Sequence, residues 1–344
     1  MPGLLAVRRR SPPLLLAAVV VAACSSGPTG PALVCSAAAI APTSGLLYVA
    51  NTGNRITVYS AGDTGNAAPT ATIAGSNTRL SFPWGITRDT TGRLYVVNLG
   101  TSGASPETVT VYAANAVGNV APIRTIGGSN TALHHVEGIA VDAAGQLYVA
   151  NVRDAGTRGD SITVFAADAS GNVAPRATIA GSNTGLNAPG SIALAADGRL
   201  YVANNVSNTI AIYAPQASGN VAPIATIGGG NTGLHNPQSI ALDAAGQLYV
   251  ENDLIVSNVQ HVTITVYAPG AAGNVAPTRT IGGSAGLSGA PAGLAVDHAC
   301  RLYVANEGTS SITVYAPDAT GNAAPITTIA GSNTELAGPA HITF

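Results

Sequence analysis

The sequence predicts an all-β fold, a six-bladed β-propeller with four antiparallel strands in each blade, and three observations predict it. The chain of 344 residues contains 41 Gly and 21 Pro, which is too many turn-forming residues for a helical protein. The element Leu-Tyr-Val-Ala-Asn occurs six times, identically or nearly so, at a spacing of about 50 residues, which is typical of propeller blades. Four short apolar or alternating pieces fill each interval in the same order.

The unit around Tyr148 shows the four predicted strands most clearly. They lie at residues 138–141, 147–150, 162–165 and 177–180. The turn at 142–145 links the first two strands and the segment 171–175 leads into the fourth, as in a β-meander. A blade buries its faces only against its neighbours, so six blades predict one closed domain. The alternative, a β-solenoid, has shorter coils and lacks these hairpin turns.

The N-terminus has the layout of a secretory signal, with Arg8 to Arg10 before an apolar run from Leu14 to Ala23. That run is too short to span a hydrocarbon core, which needs about 20 helical residues. The residues Val21-Ala22-Ala23-Cys24 resemble the lipobox of bacterial lipoproteins. The resemblance implies a lipoprotein signal peptide at 1–23 and lipidation of Cys24. The polar Gly/Pro/Ser stretch that follows predicts a flexible tether at 24–37, before the propeller at 38–344. The alternative is an ordinary signal peptide cleaved near Ala23, with Cys24 incidental.

The charge balance excludes nucleic acid as a partner. All 14 basic residues are Arg, and beyond the first ten positions 11 Arg face 16 acidic residues, a net charge of −5. A nucleic-acid-binding protein needs the opposite sign. From the signal sequence and the lipobox resemblance, we expect an exported monomer that is held at the bacterial cell envelope and contacts the membrane through its lipid anchor only.

The repeat unit Pro-x-Gly-Ile-Ala-x-Asp-x-x-Gly-x-Leu-Tyr-Val-Ala-Asn, followed by Ile-Thr-Val-Tyr, resembles the NHL repeat over residues 47–344. The resemblance implies the propeller fold and little about function, because such propellers include scaffolds, lyases and lactonases. The family more often has Asp at the end of the second strand, where this chain has Asn, as in Asn51 and Asn151. We interpret these Asn residues as turn-capping groups.

Two long-range contacts are predicted to close the ring. The C-terminal residues 339–344 would supply the inner strand of the first blade and cover its edge, with residues 38–41 as the alternative strand. Cys35 and Cys300 lie at sequence ends that a closed ring makes neighbours, so an oxidising compartment predicts a disulfide between them. The alternative is two thiols whose Cα atoms stay too far apart to be bridged.

Candidate functional residues are sought where the six copies disagree, because repeated positions are explained by packing. The second residue of each predicted inner strand reads around the ring as Trp84, Glu137, Gly190, Gln238, Ala292 and Ala340. Neighbouring loops add His134, His135, His235 and His341, and expanded loops add Arg153, Asp154, Arg158, Asp160, Glu251, Asp253 and His261. The predicted ligand-binding residues are Trp84, His134, His135, Glu137, His235, Gln238 and His341, around the mouth of a central channel. The alternative is that these side chains are merely solvated.

No catalytic residue is predicted, since the sequence has no Ser-His-Asp spacing, nucleophile elbow, phosphate loop or Cys-x-x-Cys. The peptide-amidating lyases, which are six-bladed relatives, have His at a fixed position of their inner strands. In this chain no inner strand has His at that position. The regucalcin and gluconolactonase group uses a Glu near an inner strand in its active site. Glu137 could take the place of that Glu, but the residues around it do not match the motif of the group. We therefore expect a binding or scaffold module for an envelope protein or a small molecule, with no cofactor. The alternative is a metal-assisted lyase or lactonase, which alone would need a divalent metal.

Overall fold

The computed structural model describes residues 45–100, 107–153, 159–256, 259–283, 286–287 and 291–344. The predictions for the signal peptide, Cys24, the tether, Cys35 and residues 38–41 lie outside these ranges. The described residues form 24 strands and two short 3₁₀ turns, Ser76–Thr78 and Glu307–Thr309. In this part of the chain, no helix has the length and apolar character needed to cross a membrane.

The strands are short and follow one another with tight connections. The first twelve are β1 (Leu46–Asn51), β2 (Arg55–Ser60), β3 (Ala71–Ala74), β4 (Pro83–Arg88), β5 (Leu94–Asn98), β6 (Thr108–Tyr112), β7 (Arg124–Gly127), β8 (Val136–Val141), β9 (Leu147–Asn151), β10 (Ser161–Phe165), β11 (Ala177–Ala180) and β12 (Pro189–Leu194). The remaining twelve are β13 (Leu200–Asn204), β14 (Thr209–Tyr213), β15 (Ala225–Gly228), β16 (Pro237–Leu242), β17 (Leu248–Val256), β18 (Val259–Tyr267), β19 (Arg279–Ile281), β20 (Pro291–Val296), β21 (Leu302–Asn306), β22 (Ser311–Tyr315), β23 (Thr327–Ile329) and β24 (Pro339–Thr343).

These strands form six antiparallel sheets of four strands each, which confirms the predicted six-bladed propeller. Blade 1 has the order β24-β1-β2-β3, and blades 2 to 6 take the following strands four at a time, from β4–β7 to β20–β23. The C-terminal strand β24 therefore holds the inner position of blade 1, where Val49 pairs with Ile342 and Asn51 with Pro339. The predicted closure by the C-terminus is confirmed, and it leaves β1 no open edge.

The apolar core lies between adjacent blades, as expected for sheets that bury both faces. At the boundary of blades 6 and 1, Val49 and Ile342 pack against Tyr303 and Val314 in one buried cluster. In blades 2, 4 and 5, a tyrosine at the end of the third strand ties the core to the loop above it. The hydroxyl groups of Tyr112, Tyr213 and Tyr267 each donate to a threonine carbonyl oxygen at 2.5 Å.

The strand-two asparagines are structural, as interpreted from the sequence. The Asn151 side-chain amide donates to the Val149 carbonyl and to Thr163 Oγ1, both at 3.1 Å. Its Oδ1 accepts from the backbone N–H of His134 at 3.3 Å. Asn151 is 0 % exposed, so these bonds replace the water that its amide loses on folding.

Each inner strand bulges at its mouth end, and this bulge positions the candidate site. In blade 3, Val136 pairs with Asn151 and Ile139 with Val149, so three steps along β8 match two along β9. The extra residue is Glu137 or Gly138, the variable pair of the repeat. A bulge interrupts the strand alternation and redirects a side chain, here toward the central channel.

Candidate ligand site at the channel mouth

The inner-strand bulges surround one cavity of about 190 Å³ on the axis of the propeller. Its lining residues are Trp84, Glu137, Gly190, Ser191, Gln238, Asp253, Gln260, Ala292, Glu307 and His341. Every blade contributes at least one of them. The structure therefore brings together four of the predicted binding residues, Trp84, Glu137, Gln238 and His341.

Close contact between neighbouring inner strands limits which positions can project into the cavity. A Cβ at Gly138 would lie 2.4 Å from the carbonyl oxygen of Gly190, and one at Gly293 would lie 2.5 Å from that of Ala340. The third residue of the inner strand must therefore stay small at these two blade boundaries. In blades 4 and 5 it is Ser191 or Ser239, whose hydroxyl accepts a backbone N–H of the next blade at 3.2 or 3.0 Å.

His341 occupies this same third position in blade 1. Its ring lies 6.2 Å from the Trp84 ring, at an interplanar angle of 52°, so it fills the space between blades 1 and 2 with an imidazole. Burial lowers the pKa of His341 to about 4. The ring is therefore neutral near pH 7 and offers one donor and one acceptor nitrogen without a charge.

Trp84 and Glu137 form the polar centre of one side of the mouth. The Trp84 indole N–H donates to the Glu137 carboxylate, and Phe82 stacks on the indole at 6.3 Å with an interplanar angle of 7°. Burial raises the pKa of Glu137 to about 7, and the negative charge of Glu107 adds to this, while the bond from Trp84 and the proximity of His135 oppose it. Glu137 therefore exchanges its proton near neutral pH.

Blade 5 supplies the opposite side of the mouth through a longer hairpin. Strands β17 and β18 have 9 residues each, whereas the equivalent strands of blade 3 have 5. The extension places Asp253 and Gln260 over the cavity. Asn205 Nδ2 donates to Gln238 Oε1 at 3.0 Å, which leaves the Gln238 amide nitrogen as a donor for a ligand. Glu307, in the 3₁₀ turn after β21, completes this side, and burial raises its pKa.

Glu251 lies directly beside this side of the mouth and is 0 % exposed. Four of the other five blades have Ala at this position, including Ala150 and Ala305, and blade 2 has Val97. Neither carboxyl oxygen of Glu251 has a hydrogen-bond partner in the part of the chain that the structure describes. Burial, together with the nearby charge of Asp253, raises the pKa of Glu251 well above its usual value. Burial therefore favours the neutral carboxylic acid form of Glu251 over the carboxylate.

The other three predicted binding residues do not line the cavity. The His134 ring nitrogens contact the carbonyl oxygens of Ala132 at 2.8 Å and Gly159 at 3.2 Å, so this side chain supports its own loop. His135 is exposed beside Glu137, and His235 gives its backbone carbonyl to the N–H of Asp253 at 3.0 Å.

The sequence reasoning missed Ser191, Gln260 and Glu307 as lining residues. The signal for Ser191 was present, because it occupies the inner-strand position that holds His341 in blade 1. Gln260 and Glu307 had only the weaker signal of following a second strand, and Asp253 was noted merely as part of an expanded loop.

The residues at the mouth were compared with what a metal site needs, which is several ligands around one point. Among the described residues, no group of three or more His, Cys, Asp or Glu is arranged to hold a metal ion. The described residues at the mouth therefore do not fit a divalent metal. Cys300 lies in the turn between β20 and β21, while Cys35 is outside the described residues, so their disulfide stays a prediction.

Comparison with solved structures gives the same fold. A protein of unknown function from Bacteroides caccae matches with a TM-score of 0.57 and 11% identity, covering 86% of this chain and 97% of that chain. A periplasmic gluconolactonase from Pseudomonas aeruginosa matches with a TM-score of 0.54 and 14% identity, covering 87% and 98%. A protein from Bacteroides fragilis, provisionally assigned as a 6-phosphogluconolactonase, matches with a TM-score of 0.54 and 15% identity, covering 89% and 99%.

At these identities the likeness shows the propeller fold and does not identify an activity. No protein-family model matches the sequence, and no curated protein matches it either. The NHL resemblance and the lipoprotein assignment therefore remain predictions.

Proposed function

We propose that the channel mouth binds a small polar ligand and that the protein acts as a ligand-binding module, anchored through Cys24 as a monomer at the bacterial cell envelope. One observation carries the proposal. The residues that break the six-fold repeat, including Trp84, Glu137 and Gln238, converge on one cavity although they come from different blades.

The size and chemistry of the cavity support a small ligand. A cavity of about 150 Å³ holds a benzene molecule, so about 190 Å³ suits a molecule with a single ring or a short chain. Trp84 supplies a flat aromatic surface, and Gln238, Gln260 and His341 supply hydrogen-bonding groups. This combination of an apolar surface and a few convergent polar groups is typical of binding sites.

Burial of the carboxyl groups argues against merely solvated loop side chains. Glu251 is fully buried without a hydrogen-bond partner among the described residues, and Glu137 has its pKa raised to about 7 by burial. A solvated carboxylate keeps its ordinary pKa and costs nothing to place. Perturbed acids gathered in a cleft are a feature of functional sites.

Hydrolysis of a lactone is the second candidate function, and the pKa of Glu137 favours it. A carboxylate with a pKa near 7 can take a proton from a water molecule that attacks the lactone carbonyl. Two proteins with the same fold are named as a gluconolactonase and, provisionally, a 6-phosphogluconolactonase. No Arg lines the mouth among the residues that the structure describes, and the chain contains no Lys, so an unphosphorylated lactone suits this site better than a phosphorylated one.

Intrinsic fluorescence gives a direct test, because Trp84 is the only tryptophan of the chain and it lines the cavity. A library of small polar compounds is screened for changes in both Trp84 emission and melting temperature. A ligand of the mouth must change the emission and raise the melting temperature by mass action. The Asp168→Asn variant, which changes an exposed acid in the connection between β10 and β11, should respond like the wild type.

A companion assay measures hydrolysis of unphosphorylated lactones by the wild type and by Glu137→Gln. Turnover that Glu137→Gln abolishes and Asp168→Asn preserves would favour the hydrolase. Binding without turnover would favour the module. A library that leaves both the emission and the melting temperature unchanged would contradict the proposed function.

A further inference from the structure

We infer that the ligand of the channel mouth is an organic cation, such as a protonated amine, bound between the Trp84 ring and the carboxyl groups of blades 5 and 6. The inference rests on the proposed function, since it names the chemical class of ligand for the same cavity. It follows from the charges, the buried groups and the aromatic surface of the mouth.

Among the described residues, the cavity lining contains acidic groups and no Arg or Lys. Glu137, Asp253 and Glu307 line it from three different blades, and neither Arg nor Lys is among the lining residues. His341 stays neutral near pH 7, because burial lowers its pKa to about 4. Acids placed around a concave, partly buried cavity produce a negative potential that attracts cations and repels anions.

A buried carboxyl without a partner provides a second, independent observation. Along β17, Tyr249 belongs to the core shared with blade 6 and Val250 to the core shared with blade 4, so Glu251 and Asp253 both lie on the face toward blade 6. Asp253 lines the cavity, and Glu251 is the next carboxyl on that face.

Both oxygens of Glu251, and Oδ1 of Asp253, are buried and have no hydrogen-bond partner among the described residues. Such groups destabilise a fold until a donor reaches them. An ammonium group has three N–H donors and a positive charge, so from the cavity it can donate to Asp253 and offset the negative charge at that wall. A neutral hydroxyl has one donor and no charge, so it satisfies this arrangement less completely.

The aromatic surface favours an organic cation over a bare metal ion. Among aromatic side chains, tryptophan has the ring face that binds cations best. The indole of Trp84 is already held in place by the bond to Glu137 and by stacking on Phe82. No group of three or more metal-ligating side chains occurs among the described residues. A cation with a hydrocarbon body can contact the indole with that body and place its charge among the carboxyl groups.

Three probes of matched shape test the sign of the charge: cyclohexylammonium, cyclohexanol and cyclohexanecarboxylate. Each is titrated into the wild-type protein at pH 8 and low ionic strength, and Trp84 emission is followed. We expect cyclohexylammonium to bind at least tenfold more tightly than cyclohexanol and cyclohexanecarboxylate to bind weakest. The affinity for cyclohexylammonium should fall as salt is added, because screening weakens attraction between charges.

The Asp253→Asn variant localises the effect and removes one negative charge from the mouth. It should weaken cyclohexylammonium several-fold and leave cyclohexanol nearly unchanged. Asp168→Asn, which removes the same charge from an exposed site, should alter neither affinity. Should Asp253→Asn fail to fold, Glu307→Gln makes the same comparison.

The outcomes separate this inference from the proposed function. If cyclohexanol binds as tightly as cyclohexylammonium, or cyclohexanecarboxylate binds best, the cation is wrong while a small-ligand site remains. If cyclohexylammonium changes neither the emission nor the melting temperature but library compounds do, the inference fails alone. If the library is also silent, both fail.

Discussion

The proton equilibrium of Glu137 should be visible in the fluorescence of Trp84. The indole N–H donates to the Glu137 carboxylate, so protonation of that carboxyl weakens the bond and changes the surroundings of the only tryptophan. We expect Trp84 emission to follow a single titration with a midpoint near pH 7. Glu137→Gln keeps a side-chain oxygen for the indole and removes the proton equilibrium, so its emission should stay flat across that range.

The same equilibrium should appear in stability, and its size follows from the pKa. Glu137 has a pKa of about 7 in the fold, against an ordinary value of 4.5 for a glutamate in the unfolded chain. Between these two values the unfolded chain has released its proton and the folded chain keeps it, so stability falls as pH rises. Each pKa unit corresponds to about 1.4 kcal/mol, which gives a total loss of about 2 to 3 kcal/mol for this partly exposed group. Above pH 7 the loss should level off.

The assay compares urea unfolding of the wild type and Glu137→Gln at pH 5, 6, 7 and 8. The difference between the two proteins isolates the contribution of Glu137 from those of all other ionisable groups. The reasoning would be refuted by a wild-type emission that is flat between pH 5.5 and 8.5. It would equally be refuted by an unchanged titration in Glu137→Gln, because another group would then be responsible.

Three further measurements check other parts of the structure. Glu251→Val, which introduces the residue that blade 2 has at this position, should raise the free energy of unfolding at pH 8 by about 1 kcal/mol, because it removes a buried carboxyl that has no partner among the described residues. Urea unfolding measures this change, and a loss of stability would contradict it. Phe165→Tyr should stabilise the fold by about 0.5 to 1.5 kcal/mol. The equivalent tyrosines donate to a threonine carbonyl oxygen, and in blade 3 the equivalent carbonyl is that of Thr131. An unchanged or lower melting temperature would count against this bond. Non-reducing peptide mapping should recover Cys35 joined to Cys300, and two alkylated thiols at these positions would rule the disulfide out.

The fold could be predicted from the sequence because each blade solves the same packing problem with the same residues. Closure could also be predicted, since six second strands need six inner partners and residues 339–344 supply the missing one. The candidate site could be predicted only in part. Trp84, Glu137 and Gln238 occupy the repeat position that faces the axis, whereas the loop histidines His134 and His235 lie outside the cavity lining.

The remaining lining residues depend on details that a residue pattern does not contain. The bulge in each inner strand decides which side chain turns toward the axis, and in blade 1 that side chain is His341. The nine-residue hairpin of blade 5 decides that Gln260 reaches the cavity. Bulges and hairpin lengths follow from pairing across strands, so they become visible only in three dimensions.

A repeat fold makes it possible to separate what packing requires from what it only tolerates. Five blades have Ala or Val where blade 5 has Glu251, and all six form the same four-stranded sheet. Packing therefore does not require a carboxyl there. Burial of Glu251 costs desolvation free energy, and the packing of the surrounding cores offsets that cost. Ligand binding offsets such a cost when the ligand supplies the missing donor, whereas a purely structural role would have provided a partner within the fold. The acids of blade 5, which have carboxyl oxygens without a partner among the described residues, thus point to an occupant of the channel mouth.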